Sequence, residues 1–202
     1  MSFKRFEEYH PHRFMEFDEA RIYIEDMLKD PQMTQEAVDY MVHHRQYHFL
    51  LKNLISQFYQ GGGNRQLFDY IFSKLSECPR RNEDLQLYIQ ILDAPNNLLR
   101  DSFLGYLRSC ADKLYPFILD MLKSSEAEKR RIAVCILRYL PKEEVEEVIL
   151  EHARGEEDTR VIEEVLKYLE IYISEGNVDC LHFLKDKFPE FEERISRIIQ
   201  NL

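Results

Sequence analysis

Residues 114–140, which read LYPFILDMLKSSEAEKRRIAVCILRYL, are the stretch that decides the fold. Apolar residues dominate both ends of this stretch, and only a short Ser-Ser turn at 124–125 separates them. Ile132, Ile136 and Leu140 recur at helical spacing, which predicts one buried helix face. Ser125 and Glu128 have the spacing of a capping box, a pattern that marks the start of a helix. The stretch therefore predicts a helix, a tight turn and a second helix.

The same pattern repeats along the chain with a period of about thirty-one residues. Arg131 aligns with Arg160 when the units are superimposed, and the segment that starts at Arg100 aligns with the one that starts at Arg130. Asp30 and Asp158 are predicted N-caps at two of the unit boundaries. The pattern predicts twelve helices in six pairs, at approximately 17–29, 32–44, 46–60, 64–77, 82–93, 96–110, 112–123, 126–139, 142–153, 157–174, 177–187 and 189–201.

Over residues 82–188 these units resemble the HEAT repeat of the short bacterial type. In that repeat a proline lies early in the second helix, as Pro116 does here, and an Arg-rich first helix follows a short turn. The resemblance is looser over 17–78, where three consecutive glycines at 61–63 depart from it. It implies an all-α fold, a right-handed α-α superhelix of about six helix pairs whose second helices line the concave side. We expect an N-terminal arm or cap over 1–16 and a single HEAT-like repeat domain over 17–202.

The composition agrees with a helical, water-soluble protein. Apolar residues make up 45% of the chain, enough to form a core, while only 6 Gly and 7 Pro are present, too few for the turns of an all-β protein. Acidic residues outnumber basic residues 37 to 27, and the predicted second helices carry most of the net charge of −10. Because nucleic-acid binding depends on neutralising phosphates, this acidic concave surface disfavours a nucleic-acid partner.

The ends and the hydropathy pattern predict a cytoplasmic protein with no membrane partner. The first ten residues, MSFKRFEEYH, lack the apolar run of a secretory signal. No stretch of the chain approaches the roughly 20 apolar residues that a membrane-spanning helix needs.

Cysteines and histidines are the chain's candidate metal ligands or nucleophiles, and their spacing favours neither role. The four cysteines are too far apart for a CxxC motif and are expected to be reduced and buried; they are Cys78, Cys110, Cys135 and Cys180. Five histidines fall in the first 48 residues: His10, His12, His43, His44 and His48. His44 and His48 have the i, i+4 spacing of a chelating pair, but the predicted helix break near Arg45 separates them. We predict no metal and no cofactor.

Two enzyme classes on HEAT-like folds are alternatives. HEAT-like DNA glycosylases use basic inner faces and often Trp, whereas this chain has an acidic inner face and no Trp. HEAT-like deoxyhypusine hydroxylases bind iron through His-Glu dipeptides, and the chain contains only the reversed pair Glu151-His152. A metal-dependent or DNA-repair enzyme, and a structural subunit of a larger complex, remain alternatives to the main hypothesis.

The main hypothesis is a non-enzymatic protein–protein interaction module, an adaptor or scaffold that uses its concave acidic surface. Its partner is expected to be a protein with a basic segment, and a homodimer through an end of the solenoid is a further expectation. No catalytic residue is predicted. Three of the candidate contact residues are glutamates spaced four apart, hence on one helix face, and two are tyrosines: Glu143, Glu147, Glu151, Tyr88 and Tyr115.

Overall fold

Helices account for all the regular secondary structure in the described part of the chain. The computed structural model describes residues 16–27, 30–61, 65–75, 78–93, 97–140, 144–172 and 174–201. Within them no strand occurs, so the predicted all-α class is confirmed. The α-helices are α1 (Phe17–Glu25), α2 (Pro31–His43), α3 (Tyr47–Tyr59), α4 (Arg65–Lys74), α5 (Asn82–Leu92), α6 (Asn97–Leu122), α7 (Ala127–Leu137), α8 (Val145–Gly155), α9 (Thr159–Leu169), α10 (Val178–Lys187) and α11 (Glu192–Gln200), with short 3₁₀ helices at Glu175–Asn177 and Pro189–Phe191.

The N-caps predicted at Asp30 and Asp158 are confirmed. The Asp30 carboxylate accepts hydrogen bonds from the backbone N–H groups of Gln32 and Met33, and Asp158 accepts one from Arg160. These bonds satisfy amides that have no partner inside the first turn of a helix. The predicted capping box at Ser125 is wrong, because α7 begins after Glu126 and the Glu128 carboxylate binds the Arg131 guanidinium instead.

The predicted break at Cys110–Ala111 is also wrong, since α6 runs without interruption from Asn97 to Leu122. The buried residues Leu107, Cys110 and Ala111, followed by Leu114 and Ile118, keep the helical period across the expected break. Glycine and proline, which end helices, are absent from residues 107–114. One continuous helix therefore replaces the expected pair, and the described residues form eleven α-helices where twelve were predicted.

The chain divides into two compact units, Met1–Cys110 and Ala111–Leu202. In the first unit alternate helices pack together, because α3 contacts both α1 and α5 while α2 contacts α4. Four aromatic rings meet in its core, with Phe103 lying 4.9 Å from Tyr88 and 5.3 Å from Phe72 between ring centroids, and Phe72 stacking on Tyr106 at 5.6 Å.

The second unit repeats the same contact pattern with aliphatic side chains. Helix α7 packs against α9, and α8 packs against α9 and α10, which in turn contacts α11. Val161, Val165 and Leu169 form a fully buried stripe on α9, as their spacing predicts. The right-handed HEAT-like superhelix and the single repeat domain over 17–202 remain predictions.

The expected N-terminal arm and the expected lack of a membrane-spanning helix can be compared with the described residues only. Of the proposed N-terminal arm or cap at 1–16, all but Glu16 lies outside the described residues, and so do His10 and His12. Among the helices that the structure describes, none is long and apolar enough to cross a membrane.

Candidate functional site

The candidate site lies on α8, an amphipathic helix of the second unit. Val145, Ile149 and Ala153 recur every four residues and are buried. Glu147 and Glu151 are also four residues apart and lie on the exposed part of the helix. The acidic residues of the first turn face the positive end of the helix dipole, which favours this placement.

Four of the five predicted contact residues lie in the described part of the chain, and they differ in exposure. Glu147 and Glu151 are exposed on α8, whereas Glu143 lies outside the described residues. Tyr88 belongs to the first unit and is fully buried, with its hydroxyl donating a 2.9 Å hydrogen bond to the Pro79 carbonyl, so it presents no surface to a partner. Tyr115 is half-buried on α6. Of the four candidates that the structure describes, Glu147 and Glu151 share an exposed helix face.

This face borders an open groove of about 570 Å³, the α8 groove. Its lining combines three carboxylates with one aliphatic side chain, one guanidinium and a glycine: Glu146, Glu147, Leu150, Glu151, Arg154 and Gly176. Three glutamates against one arginine give the lining a net negative charge. A cation that enters the α8 groove is therefore attracted, while Leu150 offers an apolar contact beside the charges.

One wall of the α8 groove is fixed by hydrogen bonds. Asn177 is fully buried, and its side-chain amide donates to Glu146 at 3.0 Å and to the Tyr172 carbonyl at 3.2 Å. The Asn177 side-chain oxygen accepts from the Ser174 amide at 2.8 Å, and the Ser174 hydroxyl donates to Glu146 at 3.3 Å. This wall was not predicted from the sequence, although Ser174 and Asn177 have the three-residue spacing of a capping box.

Two exposed apolar side chains lie where this wall meets α9. Ile171 is 57% exposed and Tyr172 is 48% exposed, and Asn177 ties the Tyr172 carbonyl to Glu146 of the groove. Tyr172 also packs against Tyr168 with ring centroids 4.9 Å apart. An apolar pair of this kind beside a charged groove is a common composition for the core and rim of a protein interface.

A second cavity, of about 490 Å³, lies next to the α8 groove and shares Glu151 with it. Its floor is Glu156, whose side chain is only 1% exposed. Arg130 binds this carboxylate through two parallel hydrogen bonds, from Nε to Oε2 at 2.7 Å and from Nη2 to Oε1 at 2.8 Å. The backbone amides of Glu157 and Asp158 donate to Oε1 at 2.9 Å each.

These bonds determine the electrostatics of the second cavity. Burial alone would raise the pKa of Glu156, but the Arg130 guanidinium and the two backbone amides outweigh it and lower the pKa to about 2. His152 Nε2 lies 3.1 Å from Glu156 Oε2 without the alignment of a hydrogen bond. Burial lowers the pKa of His152 despite the nearby carboxylate. Glu156 is consequently ionised and His152 neutral at neutral pH, and Arg130 neutralises the buried charge.

The glutamates of this unit differ in whether they bind a basic side chain of the same chain. Glu164 is buried and accepts from Lys167 at 2.9 Å, while Glu170 accepts two hydrogen bonds from Arg194 at 2.7 and 3.0 Å. By contrast, neither Glu147 nor Glu151 makes a hydrogen bond or ion pair within the described part of the chain. These two carboxylates are therefore available to a cation from outside the molecule.

The histidines assemble no metal site in the described part of the chain. Helix α2 ends at His43, and Arg45 adopts a left-handed φ of 57° before α3 begins at Tyr47. His44 and His48 thus belong to different segments, and the i, i+4 geometry of a single helix is lost. No group of three or more metal-ligating side chains occurs among the residues that the structure describes.

Comparison with known proteins identified no relative of this chain. No protein-family model, no curated protein and no solved structure matches the chain.

Proposed function

We propose that this chain is a non-enzymatic protein-binding module whose α8 face receives a Lys- or Arg-rich segment of a partner protein. The observation that carries this proposal is the pair Glu147 and Glu151: exposed, on one helix face, and without an internal cation among the described residues. Carboxylates in this state complement ammonium or guanidinium groups at the spacing of one helical turn.

The proposed architecture is a HEAT-like array, which suits such a role. Within each unit, helices contact their next-but-one neighbours, as α3 does with α1 and α8 does with α10. Stacked repeats of this kind offer long, continuous surfaces for binding extended partners. We include the right-handed superhelix in the proposal on the strength of the repeat pattern in the sequence.

Charge and apolar area contribute differently to the proposed binding. Exposed ion pairs contribute only about 0–1 kcal/mol each to stability or affinity, but complementary charge accelerates association and selects the partner. Leu150 in the α8 groove and the exposed Ile171 and Tyr172 supply apolar surface, which carries affinity more effectively. The partner segment that fits best therefore combines two or more basic residues with at least one large apolar side chain.

The test is a pull-down with the double variant Glu147→Lys/Glu151→Lys at low and high salt, read by mass spectrometry. A matched control is Glu190→Lys/Glu193→Lys, which changes the net charge equally at two exposed glutamates of the same unit outside the groove. We expect a stoichiometric protein that binds the wild type and the control at low salt, and binds the α8 variant at least about 10-fold more weakly.

The salt series adds an independent criterion, because ionic strength screens exposed charges. Binding to the wild type should weaken as salt rises, with a shallower dependence in the α8 variant. A partner that binds all three proteins equally would contradict the assignment of the α8 face. Failure of the wild type to retain any stoichiometric protein would contradict the proposed function itself.

A further inference from the structure

The α8 groove carries opposite charges in a fixed order along the helix. Glu147 and Glu151 are followed by Arg154, and all three residues are exposed and line the groove. The Arg154 guanidinium, like the two carboxylates, makes no hydrogen bond or ion pair within the described part of the chain. Because an α-helix rises about 1.5 Å per residue, Arg154 lies about 10 Å beyond Glu147 along the helix axis. The groove therefore offers carboxylates to a cation at one end and a guanidinium to an anion at the other.

Apolar surface lies beside these charges. Leu150 is half-buried and lines the α8 groove, and Ile171 and Tyr172 are exposed next to the groove wall. Covering such side chains gains about 25 cal/mol for each Å² of apolar surface removed from water. A complementary segment therefore carries large apolar side chains next to its basic residues and an acidic residue further along.

The chain's own sequence has this composition at residues 3–8, the N-terminal segment, which lies outside the described residues. It reads Phe-Lys-Arg-Phe-Glu-Glu, so two basic residues stand between two phenylalanines and precede two glutamates. In an extended peptide, at about 3.3 Å per residue, Lys4 and Glu7 are about 10 Å apart. This spacing matches the separation of opposite charges along α8, so the segment complements the groove in both charge order and length.

The other basic clusters of the chain fit the α8 groove less well. Adjacent Lys or Arg residues occur at three places in the sequence: 4–5, 80–81 and 129–131. All three basic residues of the cluster at 129–131 bind carboxylates of the second unit. Arg81 lies 3.7 Å from Glu83, and its cluster is flanked by Pro79 and Asn82 rather than by large apolar residues. The cluster at 4–5 is therefore the one that combines adjacent basic residues with flanking aromatic side chains.

We propose that the α8 groove binds the N-terminal segment of a second copy of this chain, and that two copies exchange their segments reciprocally. The inference rests on the proposed function, because it names the basic partner of the same site. The basic pair Lys4–Arg5 meets the carboxylates of α8, the two glutamates that follow meet Arg154, and the phenylalanines cover Leu150. Two identical contacts of this kind form a closed dimer with two-fold symmetry.

The net charge of the chain gives this association a distinctive dependence on salt. Two copies with a net charge of −10 each repel one another at low ionic strength. At about 0.1 M salt the Debye length is about 10 Å, so distant charges are screened while charges in contact still attract. Dimerisation should therefore be strongest near about 0.1 M salt and weaker on either side. A separate basic protein would instead bind most tightly at the lowest salt.

The test is sedimentation velocity of the full-length chain over a series of protein concentrations, with two charge-reversal variants. The segment variant is Lys4→Glu/Arg5→Glu, and the groove variant is Glu147→Lys/Glu151→Lys. Each variant alone places like charges at both contacts, so we expect its dimer to be at least about 10-fold weaker than that of the wild type. An equimolar mixture places opposite charges at both contacts, so the mixed dimer should form about as tightly as the wild-type dimer.

Two control variants match these changes in net charge at exposed positions outside the groove. Glu190→Lys/Glu193→Lys matches the groove variant, and Lys52→Glu/Arg108→Glu matches the segment variant. Both controls should dimerise as the wild type does, and circular dichroism checks that every variant is folded. A variant that fails to fold is replaced by its neutral counterpart with glutamine at the same positions.

The inference is overturned if the wild type stays monomeric at every concentration, if both reversal variants dimerise as tightly as the wild type, or if their mixture forms no mixed dimer. The proposed function has its own readout in the pull-down. If that experiment retains a different protein through the α8 face, the proposed function stands and the inference alone fails. If the wild type neither dimerises nor retains a partner, both fail.

Discussion

Glu156 shows most clearly how a single residue is stabilised in this protein. Its carboxylate is almost completely buried and is held by Arg130 and by two backbone amides at the start of α9. Arg130 also donates to the carbonyls of Ser124 and Ser125 at 2.9 and 3.0 Å. One guanidinium therefore joins the turn before α7 to the turn after α8. Bidentate, charge-assisted pairs of this kind are the strongest hydrogen-bonded contacts that proteins form.

We expect Glu156→Gln to lower the free energy of unfolding by about 2–3 kcal/mol, because the partly buried Arg130 would lose its counter-charge while the size of the side chain is conserved. Urea denaturation followed by circular dichroism at neutral pH measures the change. The control is Glu157→Gln, an exposed neighbour, which should change the free energy of unfolding by no more than about 0.5 kcal/mol. Equal effects of the two substitutions would contradict the role assigned to the pair.

The repeat alignment marked Arg130, Arg131 and Arg160 but assigned them no partners. In the structure Arg130 binds Glu156, Arg131 binds Glu128, and Arg160 binds Asp158. Glu128 and Asp158 lie two or three residues from their arginines and are open to local reasoning from spacing, whereas the 3.5 Å contact of Arg131 with Glu164 spans 33 residues. The partner of Arg130 is 26 residues away, so only the packing of α7 against the α8–α9 turn brings it near.

At the scale of single elements, α6 is the clearest departure from the sequence prediction. A repeat of about thirty-one residues requires a break in its middle, and Cys110–Ala111 was the expected position. The apolar stripe continues through that position, and burial of Leu107, Cys110 and Leu114 favours a straight continuation. Burial of this apolar stripe thus favours a continuous helix at the position where the repeat period predicts a break.

The continuity of α6 can be tested at Ser109, an exposed position directly before the expected break. Inside a helix, glycine is less stable than alanine by about 1 kcal/mol, whereas in a turn the difference is small or reversed. We therefore expect Ser109→Gly to be about 1 kcal/mol less stable than Ser109→Ala in urea denaturation. Comparing the two substitutions at one site removes the effect of losing the 2.7 Å hydrogen bond from the serine hydroxyl to the Tyr106 carbonyl. Equal stability of the two variants would indicate a break in the helix.

For the whole molecule, lowered carboxyl pKa values and raised hydroxyl pKa values determine how stability depends on pH. The second unit holds carboxyls whose pKa is lowered: Glu156, at about 2, and Glu170, where the hydrogen bond from Arg194 is the main cause. The first unit holds buried hydroxyls and a thiol whose pKa is raised, since burial raises the pKa of Tyr88 and Tyr106 and the Cys110 contact raises that of Cys78. Burial also raises the pKa of Tyr168 in the second unit to about 12. The lowered carboxyl pKa values therefore contribute stability that is lost in acid, and the raised hydroxyl pKa values contribute stability that is lost in alkali.

The expected pH profile of stability follows from these directions. Glu156 is ionised in the folded chain down to a pH of about 2, below its ordinary pKa of 4.5, so its contribution is complete above about pH 5 and declines as the pH falls from there towards 2. Tyr106 keeps its proton in the folded chain beyond its ordinary pKa of 10.0, so its contribution is lost as the pH rises through about 10. Urea denaturation from acidic to alkaline pH measures both limbs.

Two variants assign the limbs to their groups. Glu156→Gln should flatten the acid limb and leave the alkaline limb unchanged, and Tyr106→Phe should do the reverse. The readout is the slope of stability with pH, not the absolute stability of either variant. If both variants kept the wild-type slopes, other groups would control the pH dependence.

The sequence by itself determined the helical class, the caps at Asp30 and Asp158 and the exposed acidic face of α8. These features depend on neighbours within about four residues, since helix periodicity, capping and i, i+4 spacing are local properties. The tertiary structure decided the burial of Tyr88, the continuity of α6 and the wall of the α8 groove built by Asn177. Each of these features either joins residues that are distant in sequence or depends on burial that outweighs a local sequence signal. Packing in three dimensions determines both, so neighbouring residues alone do not predict them.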